Sequence, residues 1–384
     1  KDAAEHCRCS LEELLSRKFS TMNTMLFTPI SIGPVELPNR IAVPPMAMYS
    51  ARSGVVQLFH KMHYGHLAAS GAGLVCIEST AVSPDGRITN YDLGLWSDEC
   101  EQGLKELVDL MHEIEPECRV MVQLNHAGRK ASSVRPWRGP ARTLPPMEGG
   151  WRVRAPSPIP FSDTYTTPRE IEFEDCRQIA EDFGAAAARA ARAGVDAVEI
   201  HMAHGYLIHQ FLSPLSNHRI DEYGGALDNR CRFAKEVMNA VKAAVPANVA
   251  VGLRVSATDW VPEGWSIEDT IHLVNLAKKE GCTFVDVSTG GNTPDAPIPV
   301  GPGYQVPFAS RVKAETGMTT FAVGLIRDAW QAETLLREGA ADVIDIGRAM
   351  IDDPHWGWHA ANRLHVEKVP KLVVPPQYLR GLSY

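Results

Sequence analysis

Residues 197–206 read AVEIHMAHGY and run on into LIHQFL at 207–212. A short apolar run ends in a polar cluster with a glycine, and a helical pattern follows. That is one strand-loop-helix unit. The unit recurs from Met25 to about His365, with strand candidates at Arg40 to Pro44, Gly73 to Thr80, Arg119 to Asn125, Ala197 to Met202, Val249 to Val255, Thr283 to Ser288, Thr320 to Val323 and Asp342 to Ile346. Each candidate is followed by a helical pattern. Eight parallel strands with eight crossovers close into an α/β (β/α)8 TIM barrel, its sheet buried on both sides.

In such barrels the loops after the strands gather on one face, so polar or glycine-rich strand ends are site candidates. Here the strands run into Pro44-Pro45-Met46, Glu78-Ser79, Gln123-Leu124-Asn125-His126, His201 to Tyr206, Arg254, Ser288-Thr289-Gly290-Gly291, Gly324 and Gly347-Arg348. A purely structural barrel has no need of this chemistry. The connection from Lys130 to about Ile171 carries Pro136, Pro140, Pro145, Pro146, Pro156, Pro158, Pro160 and Pro168, too many for an ordered helix. It is expected to cap the site as an insertion after the third strand. Residues 1–24 stand apart as an extension ahead of a barrel domain spanning 25–384. Ser10 followed by Glu13 forms a capping-box pattern opening a short helix, Leu11 to Arg17, too small to be a domain.

The chain has 384 residues, 45% of them hydrophobic, and 38 basic against 46 acidic side chains give a net charge of −8. That sign is wrong for tracking a nucleic-acid backbone or an anionic membrane. No apolar run approaches the ~18 residues of a membrane span, so the expected partner is a small molecule and the expected compartment the cytoplasm. An upstream targeting segment before Lys1, or a start at Met22 or Met25, is left open. The eight cysteines, Cys7, Cys9, Cys76, Cys100, Cys118, Cys176, Cys231 and Cys282, are scattered through mostly apolar segments, as in a reduced protein. Cys7 and Cys9 lack the second pair or nearby histidines of a zinc site.

His201, His204 and Tyr206 place two imidazoles and a phenol within six residues. Together they can donate hydrogen bonds to a carbonyl oxygen and a proton to carbon. His-x-x-His is also a metal-ligand spacing, without an evident third ligand nearby, and either histidine alone fits a buried core residue. Gly347-Arg348 after the eighth strand and Gly324 after the seventh lie where such barrels often bind phosphate through backbone amides and a cation. Gly324 alone is equally an ordinary turn glycine. No G-x-G-x-x-G follows a strand to open a helix, so there is no Rossmann site, and a nicotinamide would visit and leave.

The sequence resembles the Old Yellow Enzyme family, and more closely its bacterial-type, thermophilic-like branch, over about nine tenths of the chain. The resemblance rests on LFTPISIGPVELPNRIAVPPM, GRITNYDLGLWSD, QLNHAGRKAS, HMAHGYLIHQFLSPLSNHRIDEYGG with DNRCRF, FAVGLIRDAWQAE, IGRAMIDDPHW and PPQYLRG, in that order. It implies FMN at the barrel mouth, with Pro45, Met46 and Ala47 beside the flavin, Ser79 and Gln123 near its pyrimidine and C4 edge, and Arg254 facing N1 and C2=O. Gly324, Gly347 and Arg348 would face the phosphate. A fixed cation at Arg254 would favour the reduced, anionic ring; the plainer alternative is an ion pair with a barrel carboxylate. The resemblance further implies that His201 and His204 bind the substrate carbonyl, that Tyr206 protonates the α carbon, and that Tyr49 assists substrate binding, although Tyr49 also suits a packed aromatic.

The branch commonly carries a cysteine two places before the residue matching Tyr49, where this chain has Ala47; that puts redox tuning in doubt and leaves flavin binding untouched. No strand end carries a lysine for Schiff-base chemistry. No cysteine follows Cys282, so the cluster of the iron-sulfur relatives is not expected. The tail Gln377-Tyr378-Leu379-Arg380-Gly381 resembles a segment that places an arginine in a neighbouring subunit's site, which implies a homodimer or homotetramer with Arg380 at the partner's substrate. The expected activity is NADPH- or NADH-dependent reduction of activated alkenes. A metal-dependent lyase or hydrolase on His201 and His204, and a flavin-binding barrel that has lost turnover, are the rivals.

Overall fold

The computed structural model describes residues 24–366 and 374–382. An antiparallel hairpin, β1 (Ile30–Ile32) and β2 (Val35–Leu37), opens the fold. A parallel ring follows, formed in order by β3 (Ile41–Val43), β4 (Leu74–Ala81), β6 (Arg119–Asn125), β9 (Ala197–Met202), β10 (Ala250–Ser256), β11 (Phe284–Ser288), β12 (Thr319–Ala322) and β13 (Val343–Asp345). β13 pairs with β3 and closes it. The short β5 (Leu93–Gly94) only extends one edge of β4. All eight expected strands are present, their ends displaced by at most two residues.

Helices clothe the ring. α1 (Leu58–Ala68) follows β3, α2 (Asp98–Ile114) follows β4, and α3 (Phe173–Ala193) follows β6 after the long insertion. α4 (Leu207–Leu212) and α5 (Leu227–Ala244) follow β9, α6 (Ile267–Lys279) follows β10, α7 (Val306–Thr316) follows β11 and α8 (Ala329–Arg337) follows β12. α9 (Arg348–Asp352) and α10 (Trp356–Arg363) follow β13, and α11 (Pro376–Leu379) lies in the tail. α2 shows how the sequence specifies such an element. Ser97 caps it by accepting from the Cys100 amide, and Asp98, Glu99 and Glu101 sit in its first turn, where the helix dipole favours anions. Cys100, Leu104, Leu107, Val108 and Met111 recur at three- and four-residue spacing and are buried against the barrel.

Between β6 and α3 the described chain has no α-helix, as the prolines require. It contains 3-10 turns at Gly128–Lys130 and Pro146–Glu148 and a two-residue parallel pair, β7 (Arg154–Ala155) with β8 (Arg169–Glu170). Arg154 pins this insertion to the body through Asp85 at 2.6 Å and Asp175 at 3.0 Å.

The hairpin was not expected, and it seals the barrel floor. Ile32, Val35 and Leu37 pack upward onto Ala42, Leu74, Cys76, Met121, Phe284, Phe321 and Val343 inside the ring. The Phe284 and Phe321 rings, both fully buried, lie 5.3 Å apart; truncating either to alanine costs about 3–5 kcal/mol by the usual cavity penalty. The lumen is therefore apolar at its base. Cys76, Cys100, Cys118, Cys176, Cys231 and Cys282 are free and buried. Cys7, Cys9 and the helix expected at Leu11 to Arg17 lie outside the described residues, of which no helix is long and apolar enough to cross a membrane.

Candidate active site

The ends of β3, β10, β12 and β13 surround a cavity of about 170 Å³ that opens to solvent. Pro45, Met46, Arg254, Gly324, Gly347 and Arg348 line it together. Two glycines keep its backbone bare. Gly324 has φ +139°, and a Cβ there would stand 3.2 Å from the Gln305 amide nitrogen; a Cβ on Gly347 would stand 3.3 Å from the Pro44 ring. A bare backbone, the three arginines Arg254, Arg327 and Arg348, and an apolar Pro45–Met46 wall suit a flat ring with an anionic tail. The residues present thus fit FMN.

Arg254 also makes the ion pair weighed as its alternative, with Nε 3.1 Å from Asp286 Oδ2. The alignment is poor for a hydrogen bond, and Nε has no well-directed acceptor. A guanidinium carries five N–H groups, so one carboxylate does not exhaust it. Ser79 is buried on β4, beside a break in the pairing register between Ile77 and Thr80. Gln123 is buried too, and its Nε2 donates to Glu199 Oε1 at 2.7 Å.

His201, next to the end of β9, stands in register with Arg254, which lines the cavity; His201, His204 and Tyr206 do not themselves line it. His201 Nδ1 accepts from the Ala203 amide at 3.2 Å, which puts the His201 proton on Nε2. Nε2 faces His204 Nδ1 at 3.3 Å, and His204 Nε2 faces Ser288 Oγ at 2.9 Å. Ser288 Oγ donates to the Val255 carbonyl at 3.0 Å. One direction satisfies the chain: His201 donates to His204, and His204 donates to Ser288. Burial, then Arg254 for His201 and His201 for His204, push both imidazoles well below the usual histidine range, so they are neutral.

His204 has φ +58° and is followed by Gly205 at φ +70°. A Cβ on Gly205 would approach the Gly291 carbonyl to 2.3 Å, so the loops after β9 and β11 touch backbone to backbone. Ser256 Oγ locks them by accepting from the His204 amide and donating to the Gly290 carbonyl. The Lys130 Nζ adds bonds to the carbonyls of His204 and Gly291. Sequence reasoning passed over Lys130 because it lies beyond its strand end.

The Tyr206 ring packs edge-on against His201 with centroids 4.9 Å apart and shares an apolar cluster with Tyr49, Ile88 and Val153. Burial raises its phenol well above the usual tyrosine range. Tyr49 has φ +47° and meets Trp137 of the insertion edge-on at 6.0 Å. Glu78 holds this segment, accepting from the Met48 amide at 2.7 Å and from the Tyr49 amide. Ala47, between Met46 and Met48, is half-buried. Arg380 is exposed on the tail and does not line the cavity; Tyr378, two residues earlier, packs on Trp358 at 5.5 Å. Among the described residues, no group of three or more His, Cys, Asp or Glu is placed to hold a metal ion.

Residues 25–367 match the model of the NADH:flavin oxidoreductase / NADH oxidase family. The chain is 43% identical over 365 residues to an NADPH dehydrogenase of Geobacillus thermodenitrificans (strain NG80-2), covering 94% of this chain and all of the relative. It is 42% identical over 362 residues to an NADPH dehydrogenase of Bacillus subtilis (strain 168), with the same coverage. Among solved structures it resembles morphinone reductase with a TM-score of 0.74 at 29% identity, over 93% of this chain and 94% of the other. A morphinone reductase complex with tetrahydroNAD gives the same TM-score at 27% identity, over 92% and 95%.

Proposed function

Because the chain belongs to the NADH:flavin oxidoreductase / NADH oxidase family, that of the Old Yellow Enzymes, we propose that it spends nicotinamide-derived hydride on activated alkenes: α,β-unsaturated aldehydes, ketones, maleimides or nitroalkenes. It is an FMN-dependent NAD(P)H dehydrogenase; the alkene and the roles below are the inference. The observation that supports them is the strand register that sets His201, packed against His204 and Tyr206, beside Arg254 of the cavity lining. When bound, FMN supplies the hydride store linking nicotinamide to alkene.

Pro45, Met46, Ala47, Ser79, Gln123 and Arg254 would hold the ring, and Gly324, Gly347 and Arg348 the phosphate. His201, neutral and braced, offers its Nε2–H to the substrate oxygen, and His204 does so once its proton sits on Nδ1 and Ser288 Oγ turns from the Val255 carbonyl to donate to its Nε2. The 3.3 Å contact between them is long, so an incoming carbonyl can replace it. Polarising that oxygen makes the β carbon electron-poor, and neutral donors do so without protonating it. Tyr206 holds its proton firmly and delivers it to the α carbon, with Tyr49 lining the same apolar cluster. The insertion from Lys130 to Ile171 shields that cluster from water. Arg380 would complete the substrate region of a partner in a homodimer or homotetramer.

Anaerobic reduction of the flavoprotein by NADPH or NADH, then mixing with a panel of enones, tests the proposal. Enone-dependent return of the oxidised flavin spectrum, with saturated product, is expected. Reoxidation by oxygen alone would overturn it.

A further inference from the structure

Below the cavity, the barrel lumen contains an acidic layer that the reaction above does not use. Glu199 on β9, Asp286 on β11 and Asp345 on β13 point inward, each no more than 3% exposed, around the single guanidinium of Arg254 on β10. Gln123 of β6 donates to Glu199 Oε1, and Arg254 faces Asp286 Oδ2. The other oxygens, Glu199 Oε2, Asp286 Oδ1 and Asp345 Oδ2, have no donor. Asp286 lies within bonding reach of both Glu199 and Asp345. Two carboxylates cannot bond unless one keeps a proton.

Three carboxylates and one guanidinium would leave two uncompensated negative charges in a buried layer, which the loss of hydration strongly disfavours. The layer therefore holds protons. Burial raises all three carboxyls, Glu199 to about 8; the Asp286 charge adds to the rise at Glu199 and Asp345, whereas Arg254 opposes it at Asp286. The remaining neighbours are few. Cys76 of β4 is a buried thiol whose acidity is suppressed, His201 is neutral, β3 and β12 contribute apolar Ala42 and Phe321, and Arg348 and Tyr304 stand across the cavity. Asp345 lines the cavity and is the member through which protons can exchange.

We propose that Glu199, Asp286 and Asp345 act through Arg254 as a proton-accepting counter-charge that, wherever the oxidised layer has given up a proton, takes one back from water for each hydride stored on the bound flavin. Hydride from the nicotinamide brings two electrons and one proton to the ring. A second proton, from solvent, forms an O–H bond on a carboxylate of the layer. That neutralisation frees Arg254 to face the new negative charge, and oxidation releases the proton again. The proposal rests on the placement of Arg254 at the ring edge; the layer's residues are positioning residues.

Potentiometry on the holoenzyme between pH 6 and 10 decides the matter. Each proton taken up shifts the reduction equilibrium tenfold per pH unit, about 30 mV for a two-electron couple. Above about pH 8, where the oxidised layer begins to lose its proton, the wild type should respond a hundredfold per pH unit. Glu199→Gln combined with Asp345→Asn should respond tenfold. A tenfold response in the wild type throughout overturns the proposal, even if the double variant does not fold. In the wild type, redox difference infrared spectra should gain a protonated-carboxyl C=O band; its absence is equally fatal. Arg254→Met separates the two layers of inference. A change of less than twofold in the midpoint equilibrium removes the placement of Arg254, whereas a larger change with a tenfold wild-type response overturns proton uptake alone.

Discussion

The Lys130 Nζ donates to the backbone carbonyl of His204 at 2.8 Å, fixing a residue whose φ of +58° a histidine rarely adopts. The same ammonium reaches the Gly291 carbonyl at 2.9 Å and lies 5.1 Å over the Tyr206 ring. Lysine-to-methionine exchange at this position removes both bonds while keeping the apolar stem. In Lys130→Met, kcat/KM for enones should fall about 10- to 100-fold through misplacement of His204, with FMN affinity unchanged. Equal kcat/KM would mean that Ser256 and Ser288 suffice to hold the loop.

Tyr206→Phe should leave nicotinamide-driven reduction of the flavin nearly intact and slow its reoxidation by cyclohexenone roughly 10²- to 10⁴-fold, the usual worth of a general acid. Stopped-flow measurement of the two half-reactions checks it. An unchanged reoxidation rate would transfer the proton-donor role to solvent.

Glu78 makes a pH prediction. Burial raises its carboxyl to about 8, against an ordinary 4.5 when unfolded. The folded protein then holds more protons than the unfolded chain between these values, so the contribution to stability is full below about 4.5 and is lost as pH rises through 8. Glu78→Gln keeps an acceptor for the Met48 amide. It should flatten the fall in apoprotein stability between pH 5 and 8 by roughly a few kcal/mol, measured by urea unfolding. Parallel curves for the two proteins would show that Glu78 is ionised throughout.

Ala47 is flanked by Met46, which lines the cavity, and by Met48, whose amide is held by Glu78. Alanine offers the flavin edge no sulfur. In Ala47→Cys, an S–H bond made preferentially to the reduced ring would raise the potential by roughly 10–30 mV. Dye-equilibrated potentiometry checks this; potentials equal to within about 5 mV would make this position a determinant of pocket shape alone.

Arg380 is exposed and does not line the cavity of its own chain, so its expected role is at the substrate of a second copy. Deleting residues 377–384 should raise KM for enones with little change in the nicotinamide half-reaction. Sedimentation at micromolar concentration should show an oligomer; a monomer would refute a shared site.

The strands were legible in the sequence because a parallel sheet covered on both faces needs continuous apolar runs, and those are local. Ala197–Met202 and Arg119–Asn125 occur where their composition predicts. The polar strand ends were legible for the same reason: His201, Arg254, Gly324 and Gly347-Arg348 interrupt apolar runs at the face where barrel loops converge. The insertion declared itself through its prolines, which forbid a helix wherever the chain folds.

What the sequence could not disclose depends on register and on contacts between distant segments. Glu199, Asp286 and Asp345 are isolated acids inside three separate apolar runs, and only the cross-strand register brings them around Arg254. Lys130 meets the His204 carbonyl 74 residues away. The hairpin β1–β2 becomes a floor only because the ring above it is closed. Hydrogen-bond direction through His204 ends on Ser288, 84 residues away, although the Ala203 amide that orients His201 is local. Local periodicity determined which elements form and which of their ends carry polar groups. Tertiary packing decided which buried charges share a chamber, because that depends on the alignment of strands far apart in the chain.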